Sequence, residues 1–343
     1  MRLKALNELL MASGSPDNKN NDFIVVGLSN STVHVLDHRV PGTLSLASTA
    51  LLPSIALKSA FSPDGNFLAV NSFGTPGLSL FAHDGLGNLT FSDAYAVSHN
   101  SLVNGLSWSP AGDTSPSTFD YEGDYLVSSY SNSPRMTFFG TNIPGSLEYL
   151  FDSSQTSNVT FTKHHPFREY FVFAVEGSLT LKMLSLDSNF AIASIGAASV
   201  DADFSPDGSA LFVVTTSGLL RKYSMPSDFG FGSLQYSVLL PNSARSMAIH
   251  PNGKIIAAGY SSTVALYEDT GSSLVATGAT YVGPTPYSCN FTSDGKYLVV
   301  SGFGGTHDVY LLDCSNFGSF ALASAYKNAN GAAAFFSSLS PAR

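Results

Sequence analysis

Charged residues are scarce in this sequence, at 12% of 343 residues, about half of the roughly 25% found in ordinary soluble domains. Lysine and arginine number 16 against 25 aspartate and glutamate, which gives a net charge of -9, and no run of basic residues is present. We therefore expect no nucleic-acid partner, because binding to phosphates requires clustered positive charge. A low surface charge suits a protein that is held in an assembly rather than one that is kept dispersed by repulsion.

Cysteine and long apolar runs are also lacking. Two cysteines cannot form a disulfide scaffold, and no stretch approaches the roughly 18 apolar residues that a membrane span requires, so we expect no membrane insertion. The first residues have a basic head, but Asn7 and Glu8 interrupt the apolar segment, and they fit a secretion signal poorly. Hydrophobic residues at 44% nevertheless predict a folded chain with a sizeable core.

What the sequence does contain is a repeat built on Phe-Ser-Pro-Asp-Gly. Full, weak or degenerate copies stand at 15–17, 61–65, 108–112, 164–166, 204–208, 249–253 and 291–295. The proline position of the motif falls at 16, 63, 110, 166, 206, 251 and 293, so successive copies are separated by 47, 47, 56, 40, 45 and 42 residues, close to the roughly 40 to 50 residues of a propeller blade. Pro, Asp and Gly favour a tight turn between two strands, and two further apolar segments follow each copy. The sequence therefore predicts an all-β, seven-bladed β-propeller of four-stranded blades.

The ends of the chain bear on how the ring closes. Residues 332–340 resemble the first strand and turn of a blade that does not continue, and we expect them to form the inner strand beside residues 23–27. The alternative inner strand is 9–13. If residues 332–340 form the inner strand, residues 1–20 are an N-terminal arm and residues 21–343 form the propeller. The long third interval places an acidic loop at 113–123, which we expect to project from the body.

The turn motif followed by an apolar strand, as at 61–70 and 291–300, resembles WD40-like and YVTN-type propellers over nearly the whole chain. The Trp-Asp dipeptide of true WD40 repeats is absent, and Trp108 is the single tryptophan. The segments 74–81 and 131–139 resemble the Ser-Pro-x-hydrophobic third strands of propeller repeats in bacteriophage structural proteins. That resemblance implies a virion protein, whereas the turn motif alone is specific for architecture rather than function.

Polar residues give little sign of catalysis. His164 and His165 are adjacent and precede Pro166, and a turn role accounts for them better than a shared metal does. The repeated aspartates Asp64 and Asp207 stand in turns, where they can bond to nearby backbone N–H groups. No Gly-x-Ser-x-Gly elbow and no phosphate-binding loop is present. We therefore predict no catalytic residues, no metal site and no cofactor.

One set of residues suggests a contact surface. In four blades an aromatic residue follows the second strand: Phe73, Tyr130, Tyr260 and Phe303. Because equivalent turns lie on one face of a propeller, these rings would be displayed together as a partner-binding surface for another protein or a glycan. The alternative is that each ring folds over its own turn and caps the core.

The sequence as a whole favours a non-catalytic structural or accessory protein of a phage virion. Its expected partners are other virion structural proteins, or a glycan or protein of the host surface. The alternatives are a YVTN-type lactonase-like enzyme, and a binding propeller of the bacterial cell surface or periplasm. Cys289 is placed on the first strand of blade seven and Cys314 at the end of its third strand, so we expect both thiols to stay unlinked.

Overall fold

The structure is a computed structural model that describes residues 23–340, apart from residues 74, 97–102, 109–124, 131–135, 141–142, 144, 153–157, 169, 176–177, 179, 186–191, 227–228, 284, 305–306 and 330–333. The proposed arm at 1–20 and the loop at 113–123 lie outside the described residues. The described residues contain no helix, and so none that could cross a membrane.

Twenty-eight strands follow one another along the described chain. The first fourteen are β1 (Phe23–Leu28), β2 (Thr32–Asp37), β3 (Ser45–Leu51), β4 (Ala56–Phe61), β5 (Phe67–Ser72), β6 (Leu78–His83), β7 (Leu89–Tyr95), β8 (Val103–Trp108), β9 (Tyr125–Tyr130), β10 (Met136–Gly140), β11 (Glu148–Asp152), β12 (Val159–His164), β13 (Tyr170–Val175) and β14 (Leu181–Ser185). The others are β15 (Ile192–Ile195), β16 (Ser199–Phe204), β17 (Ala210–Thr215), β18 (Leu219–Ser224), β19 (Leu234–Leu239), β20 (Ala244–Ile249), β21 (Ile255–Tyr260), β22 (Thr263–Asp269), β23 (Leu274–Val282), β24 (Thr285–Phe291), β25 (Tyr297–Phe303), β26 (Val309–Asp313), β27 (Ala321–Tyr326) and β28 (Ala334–Leu339).

These strands form seven four-stranded antiparallel sheets, which confirms the predicted seven-bladed propeller. Blade 1 has the order β28-β1-β2-β3, and blades 2 to 7 take four consecutive strands each, from β4–β7 to β24–β27. We call the first strand of each blade its inner strand (β28, β4, β8, β12, β16, β20 and β24) and the last its outer strand (β3, β7, β11, β15, β19, β23 and β27). Each inner strand contacts the inner strand of the next blade, and the contact between β28 and β4 closes the ring.

The core lies between the blades. Each of the seven interfaces between adjacent blades contains its own cluster of buried apolar side chains. The second strands supply much of it: β1, β13, β17 and β21 are buried at every residue. Continuous burial follows because a second strand is covered by a neighbouring blade on each face of its sheet. A blade therefore depends on its neighbours for stability.

The repeated Pro-Asp-Gly turns are held by their own side chains. Asp64 accepts hydrogen bonds from the Ser62 hydroxyl at 2.5 Å and from the backbone N–H of Asn66 at 3.0 Å. Asp207 and Asp294 make the same pair of contacts in blades 5 and 7. The glycine that follows each aspartate has a φ of 70 to 73°, a conformation that glycine adopts without strain. The interpretation of these carboxylates as turn residues is confirmed.

The C-terminal strand completes blade 1 as predicted. β28 pairs antiparallel with β1, with Ile24 opposite Leu339 and Gly27 opposite Phe336. The Phe336 side chain is buried, and a Cβ atom at Gly27 would overlap its ring, so glycine is required there. The backbone N–H of Ser340 also donates to the carbonyl oxygen of Phe23 at 2.9 Å. The first and last strands of the described chain thus share one sheet.

Candidate functional site

A cavity of about 630 Å³ lies at the centre of the ring, and residues of all seven inner strands line it. We call it the central channel. Because the seven inner strands surround it, it combines side chains that lie far apart in sequence. Its volume is within the range of about 300 to 1,000 Å³ that is usual for small-molecule sites.

Three charged side chains of three inner strands line the channel, and a fourth, Asp203, pairs with one of them. Lys58 belongs to β4, Lys163 to β12, and Asp201 and Asp203 to β16. Lys163 Nζ lies 3.4 Å from Asp203 Oδ2 and forms an ion pair with it. Asp201 accepts the backbone N–H of Met247, in the next blade, at 3.0 Å. The channel therefore carries both signs of charge in its wall.

The pKa values of these groups follow from their surroundings. The Asp203 carboxylate raises the pKa of Lys163 above its ordinary value. Burial lowers the pKa of Lys58, against the opposing attraction of Asp201. Burial likewise raises the pKa of Asp201, although Lys163 and Lys58 both oppose it. At Lys58 and at Asp201, burial therefore outweighs the attraction of the opposite charges nearby.

Polar contacts join neighbouring inner strands around the channel. They are Ser338 to Ser59 (2.7 Å, blades 1 and 2), Lys163 to Asp203 (3.4 Å, blades 4 and 5), Met247 to Asp201 (3.0 Å, blades 6 and 5), Ser246 to Pro286 (3.3 Å, blades 6 and 7) and Asn290 to Ser337 (2.9 Å, blades 7 and 1). Each of these hydrogen bonds provides a partner for a polar group that would otherwise face only apolar side chains.

Analysis of the sequence did not identify this channel. Lys58, Lys163 and Asp201 share neither spacing nor residue type, so no repeat pattern marks them. Arg245 lies on the inner strand β20, with its guanidinium 5.8 Å from the centre of the Tyr287 ring. The sequence did contain one sign of the channel: charged residues stand within short apolar strands before the turns, and charged residues are unusual in buried strands.

The histidine pair occupies the end of β12 and the turn after it. His164 is the last residue of the strand, and burial lowers its pKa to about 3. His165 is buried in the turn, where its Nδ1 accepts the N–H of Phe167 at 3.1 Å. No group of three or more His, Cys, Asp or Glu side chains suited to a metal occurs among the residues that the structure describes. The turn role of His165 is confirmed.

Both cysteines are free and buried, as expected. Burial raises the pKa of Cys289 and of Cys314 to about 12. A thiol that stays protonated is a poor nucleophile, so neither residue suits covalent catalysis.

The four aromatic residues chosen from the sequence fall at two adjacent repeat positions and differ in exposure: Tyr130 and Tyr260 occupy the position of Ser72 and Gly302, and Phe73 and Phe303 lie one residue later. Phe303 is 59% exposed and Phe73 is 38% exposed. The Tyr130 backbone ends β9, and its side chain lies outside the described residues. Tyr260 is buried in the cluster between blades 5 and 6, so its assignment to an exposed surface is wrong. A two-residue turn keeps Tyr260 paired with Thr263, inside the sheet, where its ring packs against the neighbouring blade.

The rim of the disc is formed by the outer strands, each of which pairs along one edge only. Six of the seven outer strands that the structure describes expose a large apolar side chain. These are Leu46 and Leu51 on β3, Phe91 on β7, Tyr149 on β11, Leu234 and Leu239 on β19, Val275 and Val282 on β23, and Leu322 on β27. None of the seven strands contains lysine, arginine or proline, and their charged residues are Asp93, Glu148 and Asp152.

No family model and no curated protein matches the chain. Solved structures match it over most of its length. A protein from Bacteroides uniformis, described as a candidate 6-phosphogluconolactonase, has a TM-score of 0.73 at 17% identity and covers 93% of this chain and 99% of its own. A protein of unknown function from Desulfotomaculum acetoxidans has a TM-score of 0.68 at 11% identity, with coverages of 90% and 100%.

The C-terminal WD40 domain of Sif2 is a third similar structure, with a TM-score of 0.61 at 14% identity, covering 95% of this chain and 90% of that domain. Identities this low show the fold alone. The chain is thus a seven-bladed propeller of WD40-like architecture with lactonase-like structural neighbours. None of these three is described as a phage protein, so the likeness to phage repeats rests on the sequence motifs.

Proposed function

We propose that this propeller is a non-catalytic structural or accessory protein of a phage virion, which docks through its rim onto other virion proteins. The composition of the outer strands carries the proposal. An edge strand presents unpaired N–H and C=O groups, and proteins usually protect such edges with lysine, proline or a covering segment. The outer strands have neither lysine nor proline, and six of the seven expose a large apolar side chain.

Such edges suit an extended segment of another protein that adds a strand to the sheet. The backbone groups of the edge would supply hydrogen bonds, and exposed side chains such as Leu51 and Leu239 would supply apolar contact. Both side chains are more than two-thirds exposed, at 80% and 71%. The low overall charge supports the same interpretation, because a protein held in an assembly does not need repulsion to stay dispersed.

The exposed rings of Phe73 and Phe303 offer a second contact area on one face of the disc. Aromatic residues are enriched at the centres of protein interfaces. This face could contact a further virion protein, or present loops to a protein or glycan of the host surface. A virion is therefore the proposed location, and the bacterial cell surface or the periplasm is the alternative.

The location is tested by mass spectrometry of phage particles purified from the organism that encodes the chain. We expect its peptides in the particles at a stoichiometry that stays constant through repeated gradient purification. Absence from intact particles would overturn the virion proposal. Recovery from the envelope fraction would favour the surface or periplasmic alternative.

The docking role of the rim is tested with Leu51→Lys and Leu239→Lys. We expect each substitution to reduce incorporation into particles, because lysine disfavours strand addition and removes apolar contact. Phe167→Lys is the control: Phe167 is 64% exposed but lies in the turn between the inner strand β12 and β13 rather than beside an outer strand. Equal incorporation of all three variants would contradict docking through the rim.

A second candidate is a lactonase-like enzyme, and the observation that favours it is the convergence of Lys58, Lys163 and Asp201 on the central channel. The fold of the candidate lactonase from Bacteroides uniformis agrees with this function but does not select it. Hydrolysis of sugar lactones by the purified protein, abolished by Asp201→Asn, would establish it. If the protein is a non-catalytic docking protein, we expect no lactone hydrolysis above the spontaneous rate.

A further inference from the structure

Lys58 differs from the other channel lysine in its partners. Lys163 is paired with Asp203 at 3.4 Å. Two lysines elsewhere have carboxylate partners, Lys222 with Asp269 at 2.5 Å and Lys327 with Asp308 at 2.9 Å. Lys58 lies in the channel wall, yet no carboxylate of the described residues is within 4.0 Å of its ammonium group.

The carboxylate that influences Lys58 most is engaged elsewhere. Asp201 acts on Lys58 electrostatically, but its Oδ2 accepts the N–H of Met247 at 3.0 Å and its Oδ1 that of Ala202 at 3.0 Å. These bonds hold the carboxylate against blade 6. The Lys58 ammonium is therefore half-buried beside a cavity without a direct anionic partner, an arrangement that costs free energy unless an anion is supplied.

Hydroxyl groups line the same channel as Lys58. Ser59 follows it on β4, and the Ser59 hydroxyl lies 2.7 Å from that of Ser338 in blade 1. Both serines line the channel, as does Ser337. A serine hydroxyl can donate to an oxyanion as well as accept from a neighbour. One cation with neutral donors at its side is the usual composition of a small-anion site.

We propose that the central channel binds a small solute through an oxyanion group, a carboxylate or a phosphate, with Lys58 Nζ as the charged donor and the Ser59 and Ser338 hydroxyls as neutral donors. The cavity of about 630 Å³ accommodates a solute larger than the anionic group alone. The site is independent of the rim. It would give the propeller a ligand whether or not the protein belongs to a virion.

The direction of the Lys58 pKa agrees with this assignment. Burial lowers it, as expected for an ammonium group with too little negative charge nearby. A bound oxyanion would stabilise the charged form and raise the pKa again. That shift is a readout at the proposed site itself, and a purely structural lysine would not show it.

The experiment is NMR of the full chain with ¹³C-dimethylated lysines, titrated with inorganic phosphate and, separately, with acetate at constant ionic strength. Disappearance of one signal in Lys58→Arg assigns the Lys58 resonance. We expect that resonance to shift saturably with one of the two anions and its pKa to rise on binding. The anion that binds with the higher affinity shows whether the natural group is a phosphate or a carboxylate.

The variants separate a specific site from general attraction. Lys58→Met should weaken anion binding about tenfold or more, because a charge-assisted hydrogen bond is lost. Lys254→Met removes the same charge from an exposed turn and should leave affinity unchanged. Ser338→Ala should weaken binding less than Lys58→Met does. If Lys58→Met does not fold, Lys58→Arg must retain binding for the proposal to stand.

Three results would overturn the proposal. One is the lack of a saturable shift with either anion. Another is an equal loss of binding in Lys58→Met and Lys254→Met. The third is a Lys58 pKa that does not change at saturating anion, which would mean that Lys58 serves only to balance Asp201.

Discussion

His165 and His250 hold the same turn position in blades 4 and 6, and each ring reaches the turn glycine of the next blade. His165 Nε2 lies 3.1 Å from the carbonyl oxygen of Gly208, and His250 Nε2 lies 3.0 Å from that of Gly295. On the other side of each ring, Nδ1 accepts a backbone N–H from its own turn, that of Asn252 in the case of His250, at 3.0 Å. Both rings are therefore neutral, with the proton on Nε2.

The first prediction concerns the contribution of these rings to stability. His250→Ala and His165→Ala should each lower the free energy of unfolding by about 1 to 3 kcal/mol, because a buried carbonyl and a turn N–H lose their partners. Urea unfolding gives the values. His307→Ala is the control, since the His307 ring contacts Tyr310 of its own blade. If His307→Ala lowers the free energy of unfolding as much as the two turn variants do, the contact between blades has no special role.

A second prediction follows from the charge of the same rings. Burial lowers the pKa of His165 and of His250 below the usual 6.5. The unfolded chain therefore takes up protons first as the pH falls, so stability present above pH 6.5 is lost as the pH drops towards the folded-state pKa values. Protonation would also turn Nδ1 from an acceptor into a donor, so that it would repel the backbone N–H that it now accepts.

The melting temperature is expected to fall between pH 7 and about pH 4.5, before most carboxylates titrate. The slope should be shallower in the double variant His165→Ala/His250→Ala. It should not vanish, because burial lowers the pKa of His164 to about 3 and that residue acts in the same direction. An unchanged slope in the double variant would show that these two rings do not carry the effect.

The third prediction concerns closure of the ring by β28. Phe336→Ala should lower the free energy of unfolding by about 3 to 5 kcal/mol, because this buried ring fills the space beside Gly27. Deletion of the residues from 334 onward should cost more, since it also exposes the edge of β1. Leu322→Ala, on an outer strand and 49% exposed, is the control and should change stability by less than about 0.5 kcal/mol. An unchanged melting temperature after the deletion would rule out closure by this strand.

Features that repeat could be predicted from the sequence. The number of blades was predictable because the turn motif recurs at 40 to 56 residues, and this spacing makes even the degenerate copies recognisable. The closing strand was predictable for the same reason: residues 332–340 resemble a blade opening, and Leu339 does lie opposite Ile24. Register followed from the turn, because a tight turn sets which residues of two strands are paired.

Features that depend on two blades could not be predicted in this way. Lys58 and Asp201 lie on inner strands more than 140 positions apart, and their proximity depends on ring closure rather than on local pattern. The contact from His250 to Gly295 also joins two blades, so the residues around His250 in the sequence give no sign of it. Tyr260 was misjudged because it lies one position earlier in the repeat than Phe73 and Phe303, and successive residues of a strand face opposite sides.

The fourth prediction concerns an ion pair between blades 5 and 6. Asp269 accepts from Lys222 Nζ at 2.5 Å, from the Tyr236 hydroxyl and from the N–H of Gly271 at 2.9 Å. Burial raises the pKa of Asp269, but these hydrogen bonds outweigh it and hold the pKa below its usual value. Asp269→Asn should therefore lower the free energy of unfolding by about 1.5 to 3 kcal/mol.

The control for Asp269 is the surface pair of Asp37 and Arg39, whose side-chain atoms are 2.6 Å apart. Asp37→Asn should cost less than about 1 kcal/mol, because solvent screens an exposed pair. Both values come from denaturant unfolding at low salt. Similar costs for the two substitutions would mean that burial and the Tyr236 hydroxyl add nothing to the interblade pair.

The last prediction compares aromatic residues at two adjacent repeat positions, which have different surroundings. Tyr260 is buried between two blades, so Tyr260→Ala should lower the free energy of unfolding by about 3 to 5 kcal/mol. Phe303 is 59% exposed, and Phe303→Ala should change it by no more than about 0.5 kcal/mol. Phe73, less exposed at 38%, should lie between them.

If Phe73 and Phe303 form a docking surface, their substitution should reduce incorporation into particles while the isolated protein keeps its melting temperature. Truncation of a ring at the centre of an interface costs about 2 kcal/mol or more of binding free energy. Tyr260→Ala would reduce incorporation only in proportion to the protein that it unfolds. Should Phe303→Ala unfold the protein while the remaining folded fraction is incorporated normally, the ring caps the core of its own blade and does not bind a partner.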